Sequence, residues 1–288
     1  MGVVALGGTV AVVGGPVLSR VGYGAMQLAG PNVFGPPADR AEALAVLRAA
    51  VEAGVTHVDT ADFYGPVVVN ELIREALHPY PAELTVVTKV GARRGADGRW
   101  DMSHEPADLV GQVHDNLTHL GVDTLDVVNL RLGGVDDPDD TSLAEPFAAL
   151  AELRAQGLVR HLGLSNVTDA QLSEAQGIAP VVTVQNRYNL AQRRDDALVD
   201  RCAAEGIVFV PYFPLGGFNP IQSDRLTRVS AELGASPQQV ALAWLLHRSP
   251  TISVIPGTSS LAHLRENLAA ADLVLPEGVV AELDGVGG

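Results

Sequence analysis

A phenol, an ammonium and a carboxylate brought together could move a proton to a carbonyl oxygen, and Tyr64, Lys89 and Asp59 offer that set. Asp59 and Tyr64 share the segment His57-Val58-Asp59-Thr60-Ala61-Asp62-Phe63-Tyr64-Gly65, and Lys89 ends the run Leu84-Thr85-Val86-Val87-Thr88-Lys89. A free phenol has a pKa of about 10 and gives up its proton reluctantly near neutrality. A buried ammonium beside it favours the phenolate, and a carboxylate behind the ammonium keeps that cation charged and oriented. The expectation is an acid, a tuner and an orienter, able to protonate oxygen while a hydride reaches carbon.

These residues need elements that bring them to one place. Strand candidates are Arg20–Gly24, His57–Asp59, Leu84–Lys89, Thr124–Leu130, Val159–Ser165, Val181–Gln185, Ile207–Tyr212 and Thr251–Ile255. Helical patterns alternate with them, including Asp39–Ala53, Glu105–Leu120, Ser142–Gln156, Thr168–Gln176 and Ala191–Glu205, several followed by glycine. Eight strands with intervening helices predict an α/β chain folded as a (β/α)8 TIM barrel, one domain over residues 1–288. The apolar N-terminus reads as a β-hairpin, Val3–Leu6 and Val10–Val13, turning at Gly7-Gly8-Thr9. Barrel sites form at the C-terminal ends of strands, and Asp59, Lys89, Asn129, Ser165, Gln185 and Tyr212 all fall at or near such ends. An open doubly wound sheet would usually show a G-x-G-x-x-G turn, and Gly22-Tyr23-Gly24 lacks the third glycine.

Composition narrows the function classes. The chain has 288 residues, 47% of them hydrophobic, enough for a large core. A formal net charge of -15 argues against nucleic acid or an anionic membrane surface as partner. No uninterrupted apolar run is long enough to span a bilayer. The single cysteine, Cys202, excludes an internal disulfide and suits a reducing, cytoplasmic setting. The eight histidines show no metal-ligand spacing, so no metal site is expected.

Taken in order along almost the whole chain, several tracts resemble the aldo-keto reductases. They are Val21-Gly22-Tyr23-Gly24-Ala25-Met26-Gln27, the Asp59/Tyr64 segment, Val87-Thr88-Lys89, Gly163-Leu164-Ser165-Asn166, Val184-Gln185, Tyr212-Phe213-Pro214-Leu215-Gly216 and Ile255-Pro256-Gly257-Thr258. The tracts Asp126–Arg131 and Pro211–Phe218 look most like a bacterial subgroup that includes a pyridoxal reductase. The resemblance implies reduction of an aldehyde or ketone by NADPH, with Tyr64 as general acid, Lys89 its partner and Asp59 the orienter. It implies that Ser165, Asn166 and Gln185 bind the nicotinamide carboxamide and that Tyr212 stacks on its ring. Gly24, Ala25, Met26, Pro214 and Leu215 join that cofactor site, with Gly216 and Gly217 beside the pyrophosphate. Thr258 and Ser259 precede a helix whose start suits an anion, and Asn267 matches an adenine contact. Phe34, Phe63 and Trp100 are candidates for the substrate mouth, and Arg131 for an anionic substrate group.

Two departures from the family pattern qualify the expectation. Asn129 is taken as the residue standing where most members carry histidine, which would leave proton transfer to Tyr64 alone. Gly257 and His263 stand where many members place the lysine and arginine of the 2′-phosphate pocket, so NADH is the alternative cofactor. The competing function is a slow-turnover, cofactor-binding sensor, which Asn129 would suit. A metal-dependent barrel hydrolase is disfavoured by the missing ligand clusters. Substrate identity and oligomeric state stay open at this level.

Overall fold

The computed structural model describes residues 6–134 and 137–287. Its first elements are the antiparallel strands β1 (Thr9–Ala11) and β2 (Val17–Ser19), with Thr9 opposite Ser19. The expected hairpin is therefore displaced: Val10 belongs to its first arm and the chain reverses around Gly14-Gly15-Pro16, not Gly7-Gly8-Thr9. Val3, Val4 and Ala5 of the expected first arm lie outside the described residues. Gly14 takes φ 67, which glycine adopts without penalty, and Val12 N–H donates to Pro16 O at 3.0 Å. This register packs Val10, Val12 and Leu18 against Val87, Val127, Val182, Val208, Val210 and Ile255, so the hairpin plugs the apolar floor of the barrel.

The barrel strands are β3 (Tyr23–Gly24), β4 (His57–Asp59) and β5 (Thr85–Val90), then, after a side hairpin of β6 (Ala92–Arg94) and β7 (Trp100–Met102), β8 (Leu125–Arg131). They continue as β9 (Val159–Ser165), β10 (Val181–Gln185) and β11 (Val208–Phe209). The order β3-β4-β5-β8-β9-β10-β11 is parallel throughout. The expected eighth strand, Thr251–Ile255, closes the barrel through single bridges: Ile252 pairs with Phe209 and Val254 with Val21. Gly24 and Gly257 also pair there; a Cβ on Gly24 would sit 2.5 Å from Ile255 O, and one on Gly257 2.7 Å from Gly24 O. Glycine at both positions is what lets first and last strand meet.

Helices α1 (Arg40–Glu52), α2 (Val68–Leu77), α3 (Pro106–Leu120), α4 (Ala144–Ala155), α5 (Asp169–Gln176) and α6 (Asp196–Glu205) connect the strands. They are followed by α7 (Asp224–Leu233), α8 (Pro237–Arg248), α9 (Leu261–Ala269) and α10 (Glu277–Leu283). Thr168 with Gln171, and Ser236 with Gln239, form reciprocal capping boxes that fix the starts of α5 and α8. Gly121 and Gly206 end α3 and α6 in the left-handed conformation. The helix expected from Ala191 begins only at Asp196, because Asn189 and Gln192 close a tight turn on each other first.

Below the site, His57 is wholly buried, its Nδ1 2.8 Å from Ser253 Oγ and its Nε2 without a partner. Burial lowers its pKa to about 4 from an ordinary value of 6.5. The unfolded chain then binds a proton that the folded chain refuses, so stability is full above about pH 6.5 and falls as pH drops toward 4. Exchanging His57 for the non-titrating Gln should flatten this limb of a melting-temperature profile by an amount corresponding to about 3 kcal/mol at most. A His57→Gln profile parallel to wild type between those limits would contradict the burial argument.

Candidate active site

Period-two alternation sends Asp59, Lys89 and Arg131 into the barrel at the C-terminal ends of β4, β5 and β8. There they line a cavity of about 380 Å³ together with Tyr64. Lys89 is buried, and its Nζ donates to Asp59 Oδ1 at 2.6 Å and to Thr60 O at 2.9 Å. Gln185 Nε2, from across the barrel, donates to Asp59 Oδ2 at 2.8 Å. Both carboxylate oxygens are thereby held. The Lys89 ammonium lies 5.1 Å from the centre of the Tyr64 ring.

The electrostatics follow from this packing. Burial pulls the Lys89 pKa down, but the opposing attraction of Asp59 and Tyr64 outweighs it and leaves the net value above its ordinary level. Lys89 therefore stays charged. For Tyr64 burial dominates and raises the phenol, while Lys89, and more weakly Arg131, pull it back. The net direction is upward, which corrects the expectation of a phenol lowered outright. Burial therefore favours the protonated phenol, a group able to donate to an oxygen on which negative charge develops.

The fourth-strand position also needs correction. β8 continues through Asn129 to Arg131, and Arg131, not Asn129, reaches the cavity wall. Asn129 lies in the row of Lys89, Gly163 and Thr183, and its Oδ1 accepts from Thr183 Oγ1 at 2.7 Å. A Cβ on Gly163 would meet Asn129 Oδ1 at 2.0 Å and Thr183 Oγ1 at 1.9 Å, so this row is filled by packing. Arg131 sits in the next row, opposite Ser165, which is itself opposite Gln185.

Other expected site residues separate into those at the cavity and those behind it. Gly24, Met26, Gln185, Tyr212, Pro214, Leu215, Gly217 and Gly257 line it, as do Phe63 and Trp100. Ser165 stands behind Arg131, accepting from its guanidinium at 3.4 Å. Asn166 takes a positive φ of 59, gives its amide to Leu132 O and Gly134 O, and accepts from the Tyr212 hydroxyl at 3.1 Å. It acts on the cavity through Tyr212. Ala25 is buried beside the cavity, and Gly216, at φ 97, makes the turn that presents Gly217.

Thr258 Oγ1 accepts from Ser260 N–H ahead of α9, and Ser260, one residue beyond Ser259, occupies the cap position. His263 is exposed and Asn267 buried on the same helix, neither at the cavity wall. Phe34 is also absent from the wall; it packs under the Arg94 guanidinium, 5.4 Å from its ring. Sequence reasoning missed Ala92 and Met102, brought in by the β6–β7 hairpin, and Gln27, Phe218 and Gln238. Asp97-Gly98 between Ala92–Arg94 and Trp100–Met102 is a hairpin signal that could have found the first two.

This arrangement suits a nicotinamide cofactor. Gln185 Oε1 is a buried acceptor without a partner, on a side chain at the cavity wall, and a carboxamide N–H₂ would satisfy it. Tyr212 offers a ring, and Gly217 a backbone that no Cβ shields. No group of three or more His, Cys, Asp or Glu side chains is placed to hold a metal among the described residues.

Residues 20–287 match the model of the aldo/keto reductase family, and the chain belongs to that family. It is 59% identical over 271 residues to pyridoxine 4-dehydrogenase of Escherichia coli (strain K12), covering 93% of this chain and 95% of that protein. A thermostable aldo-keto reductase, solved with the inhibitor epalrestat, superposes with a TM-score of 0.82 at 28% identity, covering 97% and 99% of the two chains. An aldo-keto reductase from Klebsiella pneumoniae, solved with NADPH, gives a TM-score of 0.77 at 25% identity, covering 96% and 93%.

Asp59→Asn leaves the Lys89 ammonium buried without a counter-charge. It should cost about 3–5 kcal/mol of unfolding free energy in urea titrations. A loss below about 1 kcal/mol, the value of an exposed pair, would show that the contact is not desolvated as described.

Proposed function

We propose that this protein reduces an aldehyde to an alcohol with NADPH, with Tyr64 as the proton donor, and that pyridoxal is the substrate to try first. The observation that carries the reading is the buried Asp59–Lys89 pair packed against Tyr64 in one cavity. The cofactor, when bound, supplies a hydride to the carbonyl carbon. Gln185 would hold its carboxamide and Tyr212 its ring. Gly217, Thr258 and the start of α9 would receive its phosphates. Tyr64 gives its proton to the carbonyl oxygen as charge develops there, and Lys89 stabilises the phenolate left behind. Asp59, pinned by Gln185, keeps Lys89 charged and aimed.

Pyridoxal is supported by the 59% identity to the E. coli enzyme and by the cavity wall of Phe63, Trp100, Met102 and Phe218, which suits a planar ring. NADPH is supported by the Klebsiella relative, with NADH the alternative, since Gly257 and His263 stand where many members carry a lysine and an arginine. The sensor alternative loses its support, because Asn129 is packed beneath the site. The closing pairs between Val21 and Val254 support one domain over the whole chain. The buried Cys202, with its thiol pushed up to about 12 by burial, supports a structural role and agrees with a cytoplasmic setting.

Tyr64→Phe should lower kcat for pyridoxal by about 10²-fold or more in a stopped-flow assay of NADPH fluorescence, with NADPH affinity retained. Lys89→Met should do likewise. Full-rate turnover by Tyr64→Phe would place the proton donor elsewhere. Parallel titrations with NADPH and NADH settle the cofactor: tighter NADPH binding is expected, and equal affinities would reject a 2′-phosphate contact.

A further inference from the structure

Arg131 brings a cation to a reacting site whose other charges already balance. Lys89 is matched by Asp59, and no carboxylate pairs with Arg131 among the described residues. Its guanidinium touches neutral groups: Gly134 O at 2.5 Å, Ser165 Oγ at 3.4 Å and the Tyr212 ring, 5.1 Å to its centre. It lies near enough to Tyr64 to favour the phenolate. Arg131 and Tyr64 line the same cavity, so an anion bound by Arg131 would share it with the carbonyl oxygen that Tyr64 protonates. A guanidinium is a planar fork that matches two oxygens on one edge, and it does not titrate near neutrality.

An aromatic aldehyde with an ionised hydroxyl ortho to it presents such an edge: the oxyanion and the carbonyl oxygen lie side by side in the ring plane. The aromatic wall of Phe63, Trp100 and Phe218 accepts that ring. We propose that Arg131 is a specificity-determining residue that binds the ionised ortho-hydroxyl of a hydroxyaryl aldehyde and so selects this class over plain aryl aldehydes. The inference rests on the carbonyl-reductase reading and gives the 3-hydroxyl of pyridoxal a partner. It also accounts for a cation at the end of β8, since a permanently charged group there recognises an anion and relays no proton.

Two substrate pairs test it at saturating NADPH: pyridoxal against pyridine-4-carbaldehyde, and salicylaldehyde against benzaldehyde. Wild type should prefer the hydroxylated member of each pair. Arg131→Met should lose roughly 10- to 100-fold more kcat/KM on the hydroxylated member than on the plain one. Arg131→Lys should recover part of that difference, because it keeps the charge and loses the fork. NADPH affinity, read by fluorescence titration, should be unchanged in both variants. Equal losses on both members of each pair overturn the proposal, as does a loss traced to NADPH binding, which would assign Arg131 to the cofactor. If wild type reduces all four aldehydes without preference, the Arg131 assignment falls and the reductase reading stands. If it binds NADPH but reduces none, the reductase reading falls and takes this inference with it.

Discussion

An ammonium removed from water must keep a counter-charge within contact or give up its proton, and Lys89 keeps Asp59 at 2.6 Å. The contact joins the ends of neighbouring strands β4 and β5, so it depends on their parallel register, in which Asp59 stands opposite Val87. It also draws in the far side of the barrel, because the second carboxylate oxygen is held by Gln185 on β10. A shift of one residue in any of these strands would turn a polar end outward and bury an unpaired charge. Barrel closure, the glycine contact of Gly24 with Gly257 and the hairpin plug all serve to hold those three strand ends in place.

The same pair sets the chemistry. Burial alone would make Tyr64 a very weak acid, and a phenol that holds its proton too firmly cannot protonate an alkoxide-like oxygen quickly. Lys89 opposes that burial without displacing the proton. The site thus combines burial of both side chains, which strengthens the charge interaction between them, with a cation placed to favour a phenolate. Arg131 adds a second cation to the cavity wall, one that Asp59, held by Lys89 and Gln185, does not neutralise.

Much of this was legible in the sequence because it follows from alternation and punctuation. β-branched runs gave all seven sheet strands, and the closing segment Thr251–Ile255 as well, although it forms only bridges. Asp59, Tyr64 and Lys89 were readable because strand ends in a barrel converge. Asn129 was taken as the site residue of a strand candidate that stopped at Leu130; Arg131 continues the alternation by one more residue and reaches the cavity instead. Pairing with Ser165 extends the strand to Arg131, and pairing is a property of two chain segments that one segment does not display. The N-terminal hairpin slipped for a related reason. Gly7-Gly8 and Gly14-Gly15 are both competent turns, and packing of Val10, Val12 and Leu18 on the barrel floor selects between them. Phe34 was assigned to the substrate mouth as a loop aromatic, whereas Arg94 captures its ring outside the cavity.

The central claim is that the Lys89 ammonium makes Tyr64 a stronger acid than its burial would allow. Titrating the phenol itself tests this most directly, using NMR of protein labelled with ¹³C at the tyrosine ζ-carbon and Tyr64→Phe to assign the signal. The claim predicts that Tyr64 titrates at higher pH in Lys89→Met than in wild type. An unchanged or lower titration point in Lys89→Met would contradict it.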